Sequence, residues 1–327
     1  MSIETIRIAG IEKTVSRIAL GTWSMGGHLW GGADNEQSSR TIRHALNSGI
    51  NLIDTAPVYG FGLSEELIGK ALRGVRHSAV IATKAGLQWD DGVPRRNATA
   101  QRIRKEVEES LRRLETDYID LYQVHWPDPL VAQEETACEL ERLRREGKIL
   151  AVGVSNYSCA QIDEFSRHAT LATVQPPYNL FERAIDANIL PYAKRHALVV
   201  LAYGPLCRGL LTGSMHSASH FADGDVRQLD PKFKAPRFEQ YLQAVAALDI
   251  YARECHGKSL LALALRWVLD QGPTIALWGA RRPEQLHGYE QAFGWRLSAD
   301  DLTHIDRILA STIKDPIGPE FMAPAKR

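Results

Sequence analysis

Short runs of apolar, largely β-branched residues recur along the whole chain, separated by longer amphipathic stretches. The runs are RIAL at 17–20, NLID at 51–54, AVIATK at 79–84, YIDLYQV at 118–124, AVGV at 151–154, TVQ at 173–175, ALVVLA at 197–202 and TIAL at 274–277. Within each run the hydrophobicity is continuous rather than alternating, which is the pattern of strands covered by helices on both faces, so parallel pairing is the natural arrangement. Between the runs, helical spacing predicts helices over 36–47, 64–73, 99–114, 134–145, 160–167 and 185–196. Several of them run into glycine, at Gly49, Gly74 and Gly147, where a left-handed C-cap costs least.

Eight strands that alternate with helices, with no Gly/Pro/Ser linker between them, predict an α/β chain folded as a single (β/α)8 TIM barrel over residues 1–327. A doubly wound sheet is the alternative. It would carry a GxGxxG turn after its first strand, whereas RIAL runs into GTWSMGG. Helical segments at 238–255 and 299–309 exceed the simple repeat, the first lying ahead of the helix expected at 260–269. The opening TIRIAGIEKTVSRIAL reads as a hairpin bent at Gly10. The polar stretch 212–237 reads as a mobile loop after the seventh strand, a place where barrels put function.

Charge and composition narrow the function classes. Lys plus Arg and Asp plus Glu each number 39, a formal net charge of 0, which disfavours a nucleic-acid partner because such a partner needs a basic face. The apolar runs fall far short of the roughly 20 residues a membrane-spanning helix requires, and MSIETIRIAG lacks the long apolar core of a signal peptide. A cytoplasmic location is the expectation. Cys138, Cys159, Cys207 and Cys255 are widely spaced and form no CxxC, so free thiols are expected and no zinc site.

In a (β/α)8 barrel the chemistry sits where strands end, so the polar residues that terminate the apolar runs carry the interest. Asp54 ends NLID, Lys84 ends AVIATK, and His125 follows YIDLYQV, with Tyr59 close behind Asp54 in DTAPVYG. Singly, each has a structural explanation: a turn cap, a surface pair, a loop histidine, a packed ring. Together they place an acid, an amine, an imidazole and a phenol at one rim. A tyrosine serves as an acid near neutral pH when an ammonium stabilises its phenolate, and Lys84 held by Asp54 would do that. No HxH occurs, and no metal is expected. Proton transfer coupled to hydride delivery from a bound cofactor fits this set best.

The motifs DTAPVYG, GLSEELIGKAL, IATK, LYQVHW, GVSN, QPPYNL and YGPLCRGLLTG, in this order and over essentially the whole chain from LGTW at 20–23 to GARRPEQ at 279–285, resemble the aldo-keto reductase superfamily. The resemblance implies an NADPH-dependent oxidoreductase in which Tyr59 is the general acid/base, Lys84 and Asp54 tune it, and His125 positions the carbonyl. It further implies that Gly21, Thr22, Trp23 and Asp54 lie against the NADPH/NADP⁺ cofactor. Ser155, Asn156 and Gln175 would bond the nicotinamide carboxamide, and Tyr203 would stack on the ring. The alternatives are a helix N-cap for Ser155 and Asn156 and core packing for Tyr203. The loop with Gly204, Leu206, Arg208, Gly209 and Leu210 would fold over the pyrophosphate. Gly279, Arg281 and Gln285 would take the adenosine, with Arg281 on a 2′-phosphate, although Gly288 and Tyr289 stand where members often carry Glu-Asn.

The expected substrate is a small carbonyl compound or, in reverse, an alcohol or polyol, with Trp23, Trp89 and Trp126 joining Tyr59 and His125 as its walls and Trp30 a further candidate. The tail DPIGPEFMAPAKR either covers the substrate side or trails off. Two other functions keep the same barrel: a nucleotide-binding redox sensor with little turnover, and a lyase or hydrolase using Lys84 as a Schiff base or metal ligand. The oligomeric state is not readable from the sequence.

Overall fold

The structure is a computed structural model in which residues 3–326 are described. The chain opens with an antiparallel hairpin of β1 (Thr5–Ile6) and β2 (Val15–Ser16). It continues through β3 (Ile18–Gly21), α1 (Asn35–Asn47), β4 (Leu52–Asp54), α2 (Leu63–Ala71) and β5 (Val80–Ala85). A second hairpin, β6 (Leu87–Asp90) with β7 (Val93–Arg96), interrupts the alternation. Then come α3 (Ala100–Leu114), β8 (Ile119–Val124), α4 (Gln133–Arg145), β9 (Ile149–Ser155), α5 (Cys159–Ser166), β10 (Leu171–Gln175), α6 (Ile189–Arg195) and β11 (Val199–Tyr203). The chain finishes with α7 (Arg237–His256), α8 (Leu260–Leu269), β12 (Thr274–Gly279) and α9 (Ala299–Thr312).

Strands β3, β4, β5, β8, β9, β10, β11 and β12 pair in parallel and close on themselves as a barrel, the (β/α)8 architecture expected from the apolar runs. Two apolar clusters hold it. Inside the barrel, Ala19, Leu52, Val80, Leu121, Leu201 and Ile275 pack with Ile8, Ile11 and Val15, so the opening hairpin plugs the end of the barrel at which the strands begin. Outside, the other face of each strand meets the helices, as Ile53, Ile81, Tyr122 and Val152 do. The strands therefore bury both faces, which explains why their hydrophobicity does not alternate.

Helix starts follow local chemistry. Asp34, Thr99, Ser158 and Ser259 accept backbone N–H bonds at the starts of α1, α3, α5 and α8, and Ser298 with Asp301 forms a capping box on α9. Helix α6 starts later than its spacing suggests because Asn188 caps it at Ile189. Helices α7 and α9 pack on each other outside the barrel repeat, with Tyr251 bonded to Asp301 and stacked on His304. No helix among the described residues is long and apolar enough to cross a membrane.

Two segments differ from the sequence reading. The β6–β7 hairpin was unforeseen, although Asp91-Gly92, with φ of 49° and 76°, is the dipeptide that a tight two-residue hairpin favours. The stretch 212–237 is a strap with a buried centre, more than the polar loop its composition suggests. It contains short 3-10 turns at Val226–Gln228 and Pro231–Phe233 and buries Asp225, Val226, Asp230 and Lys232. Asp230 and Lys232 are buried because Arg208, from the loop after β11, and Glu182, from the loop after β10, pair with them.

Candidate active site

Each barrel strand delivers its last residues to one rim. Asp54 ends β4, Lys84 lies one residue before the end of β5, and Gln175 ends β10. Lys84 Nζ donates to Asp54 Oδ1 at 2.6 Å and to the Thr55 carbonyl at 2.9 Å, and it lies 3.3 Å from the Tyr59 hydroxyl. His125 stands edge-on to the Tyr59 ring, with centroids 5.8 Å apart. The backbone of Tyr59 is set by two glycines: a Cβ on Gly60 would lie 2.2 Å from the Gly26 carbonyl oxygen, and one on Gly26 would lie 2.5 Å from the Tyr59 carbonyl carbon. Only glycines permit that backbone-on-backbone contact, which holds the Tyr59 loop against the loop after β3.

The electrostatics separate the four groups into roles. Desolvation pulls the Lys84 pKa down, but Asp54 and then Tyr59 outweigh it, so the ammonium keeps its proton beyond the ordinary 10.5. Desolvation raises the Tyr59 pKa above 10.0; Lys84 opposes this and Asp54 adds to it, so the phenol is protonated at neutral pH. Desolvation, helped by the Lys84 charge, holds His125 well below 6.5, so its imidazole is neutral. The arrangement can therefore offer a substrate oxygen a proton from Tyr59 and a hydrogen bond from neutral His125.

Asp54, Tyr59 and His125 sit in the wall of a cavity of about 690 Å³, within the usual range for small-molecule sites, with Lys84 buried behind them. Its wall includes Trp126 and Pro94, Tyr59 and Asp54, and Arg281 and Gln285. It brings together Gly21, Thr22, Trp23, Ser155, Asn156, Tyr203, Gly204, Leu206, Arg208, Gly209 and Gly279. Ser155 Oγ donates to the Gln175 carbonyl at 2.7 Å, Asn156 Nδ2 donates to the His125 carbonyl at 3.0 Å, and the Tyr203 hydroxyl donates to Asn156 Oδ1 at 2.9 Å. The N-cap of α5 is Ser158, so Ser155 and Asn156 do not serve there.

Three expected residues do not line the cavity, and Lys84, fully buried against Asp54 and Tyr59, is the first of them. Leu210 is fully buried in the outer apolar cluster, because the chain turns at Arg208 and Gly209, both at positive φ, and sends Leu210 inward. Trp89 belongs to the β6–β7 hairpin, where it packs on Phe61 and under Arg102. Other residues join the wall that the sequence did not single out, among them His28, Val58, Arg227 and Met322. The tail covers the barrel: Arg96 bonds the carbonyls of Pro324 and Ala325, and Met322 and Pro324 reach the cavity.

Arg208 is less free than its place in a phosphate-approaching loop suggests. Its guanidinium pairs with Glu182 and, at 2.6 Å, with Asp230, while Lys232 reaches Glu182 at 2.8 Å and the Gly318 carbonyl at 3.2 Å. This buried, charge-balanced quartet pins the 212–237 strap and the tail beside the glycine loop. Burial pushes the neighbouring Cys207 thiol up to about 12, which leaves it inert. The glycine loop itself stays approachable, since a Cβ on Gly204 would meet nothing within 4 Å. A cavity of this volume, lined by amide and hydroxyl groups, an aromatic ring and backbone glycines, fits a dinucleotide.

A model of the Aldo/keto reductase family matches residues 17–310. An aldo-keto reductase of Bacillus subtilis, YhdN, is 54% identical over 100% of this chain and 99% of its own. An NADH-specific methylglyoxal reductase of Escherichia coli is 35% identical over 92% of this chain and 97% of its own. Among solved structures, the glycerol dehydrogenase AKR11B4 from Gluconobacter oxydans has a TM-score of 0.90 and 54% identity, covering 99% of this chain and 100% of that one. An aldo/keto reductase from Klebsiella pneumoniae in complex with NADP and acetate has a TM-score of 0.73 and 28% identity, covering 94% and 96%.

Proposed function

Since the chain belongs to the aldo/keto reductase family, we propose that it is an NADP(H)-dependent oxidoreductase that interconverts small aldehydes or ketones with the corresponding alcohols, polyols such as glycerol included. The observation that carries this reading is the Asp54–Lys84–Tyr59 array with neutral His125 beside it in the wall of a dinucleotide-sized cavity. A bound nicotinamide cofactor supplies the hydride to a carbonyl carbon or accepts it from an alcohol. Ser155, Asn156 and Gln175 hold its carboxamide, Tyr203 lies against its ring, Gly204 and Gly209 admit its phosphates, and Arg281 and Gln285 take its adenosine. Two solved Klebsiella relatives, described as complexes with NADP and with NADPH, support the cofactor assignment.

In reduction, Tyr59 gives its proton to the carbonyl oxygen as the alcohol forms, and Lys84 stabilises the resulting phenolate. Asp54 keeps the ammonium in place. His125, neutral, hydrogen-bonds the substrate oxygen and fixes the face that is presented. In oxidation, the Tyr59 phenolate takes the alcohol proton back. Trp23, Trp30, Trp126, Val58 and Met322 line the approach and exclude water, while His28 and Arg227 give it polar edges suited to a short oxygenated substrate.

The test follows NADPH absorbance with a panel of small aldehydes, including methylglyoxal, and NADP⁺ reduction with glycerol, each beside an NADH or NAD⁺ control and Tyr59→Phe. Turnover that collapses in the variant supports the reading. Tight cofactor binding with no turnover in either direction would overturn it in favour of a nucleotide sensor.

A further inference from the structure

The loop from Gly27 to Ala33 is an unusual backbone, with Gly27, Leu29, Gly31 and Gly32 all at positive φ. From within, the Trp30 and Gly32 amides brace it, both donating to the Gly27 carbonyl at 3.1 Å. From outside, three of its carbonyls are tied down. The Val226 amide donates to the Leu29 carbonyl at 2.8 Å, and the Arg281 guanidinium donates through Nη1 to the Trp30 carbonyl at 2.6 Å and through Nη2 to the Gly32 carbonyl.

These anchors come from the segments after β12, the strand paired with β3, and after β11, the next strand round the barrel. What they hold faces the reacting group. The Trp30 ring stands edge-on to Trp23 at 5.3 Å, and Trp23 lies 6.3 Å from the Tyr59 ring. The buried Trp30 indole N–H has no hydrogen-bond partner among the described residues.

We propose that Arg281 is a positioning residue for the carbonyl substrate: by fixing the 27–33 backbone it sets where Trp30, and through it Trp23, stand over Tyr59. This rests on the oxidoreductase reading above and goes beyond an adenosine-side role for the same arginine. A planar guanidinium spans two carbonyls at once and keeps further N–H donors for an anion, whereas a lysine ammonium would keep the charge and lose the fork. A residue that served only the coenzyme phosphate would have no need of the two carbonyl bonds.

Hydrogen exchange on the coenzyme-free protein tests the anchor, comparing wild type with Arg281→Lys and Arg281→Ala. Both variants should exchange the Trp30 and Gly32 amides about tenfold faster or more, the scale of losing hydrogen bonds that oppose local opening. With NADH, which has no 2′-phosphate, both should raise KM for the aldehyde about threefold or more and change kcat less, because substrate placement is altered and the Tyr59 array is not. Unchanged exchange overturns the anchor. Unchanged KM with NADH, beside weakened NADPH use, assigns Arg281 to the coenzyme alone and overturns the positioning role. If the wild type turns over no carbonyl compound, the oxidoreductase reading falls by itself, and the exchange result still decides whether Arg281 holds the loop.

Discussion

Gln175 Nε2 donates to Asp54 Oδ2 at 2.8 Å, on the carboxylate oxygen opposite the one that Lys84 holds at 2.6 Å. One buried carboxylate thus ties the residue assigned to the carboxamide to the ammonium that tunes Tyr59. Gln123 sits beneath both, 3.4 Å from Asp54 Oδ2 and 3.4 Å from Gln175 Nε2. Gln175→Leu should therefore act at two places. Removing a hydrogen bond to a buried charge should cost about 1.5–3 kcal/mol of stability, read by denaturant titration, and coenzyme affinity should fall in fluorescence titrations.

Tyr59→Phe should lower kcat by about 10²- to 10⁴-fold, the usual contribution of a positioned acid, while coenzyme binding and thermal midpoint stay close to wild type. The hydroxyl's one bond is the 3.3 Å contact with Lys84, so little else depends on it.

The pH profile follows from the same burial. Tyr59 titrates above 10.0 in the free protein and His125 well below 6.5. Reduction, which uses the protonated phenol and neutral imidazole, should be flat in kcat/KM from pH 6.5 to 9. Oxidation, which uses the phenolate, should climb about tenfold per pH unit over that range without levelling. A plateau in the oxidation limb near pH 8 would contradict the assignment.

Lys84→Met leaves Asp54 buried without its cation, which should destabilise the protein by about 3–5 kcal/mol, with much of the loss recovered in Lys84→Met/Asp54→Leu. The folded pKa of Lys84 is raised. The pair's contribution is thus complete below the ordinary lysine value of 10.5 and is lost as pH rises through the higher folded value. Urea denaturation of the wild type beside both variants checks this: the stability difference should hold constant from pH 7 to 10 and shrink only above 10.5.

Asp230→Asn breaks the buried quartet and should loosen the strap it pins. Limited proteolysis should then cut within 212–237 in the variant and spare the wild type, and coenzyme affinity should weaken with it. Glu182 in the same quartet is held below 4.5: burial raises its pKa, but Arg208 and Lys232 outweigh that. The quartet's support is therefore present above pH 4.5 and is lost as pH falls through the lower folded value, where the strap should become protease-sensitive in the wild type too.

The sequence by itself determined the barrel, the plugging hairpin, the free-standing cysteines and the set of residues at the strand ends. Each of those rests on local pattern: unbroken apolar runs require cover on two faces, and a polar residue that ends such a run has only the rim to occupy. It did not determine contacts between loops far apart in the chain. Arg208 read as a group for phosphate, yet Glu182 and Asp230, 26 residues before it and 22 after it, claim its guanidinium. Leu210 read as part of the pyrophosphate loop and Trp89 as a substrate wall, and a reversal at Arg208-Gly209 and a hairpin at Asp91-Gly92 turned their side chains elsewhere. Arg281 meets Trp30 across 251 residues of sequence. Partners of that kind are chosen by barrel closure, which sets the last strand beside the first, and periodicity along the chain carries no trace of them.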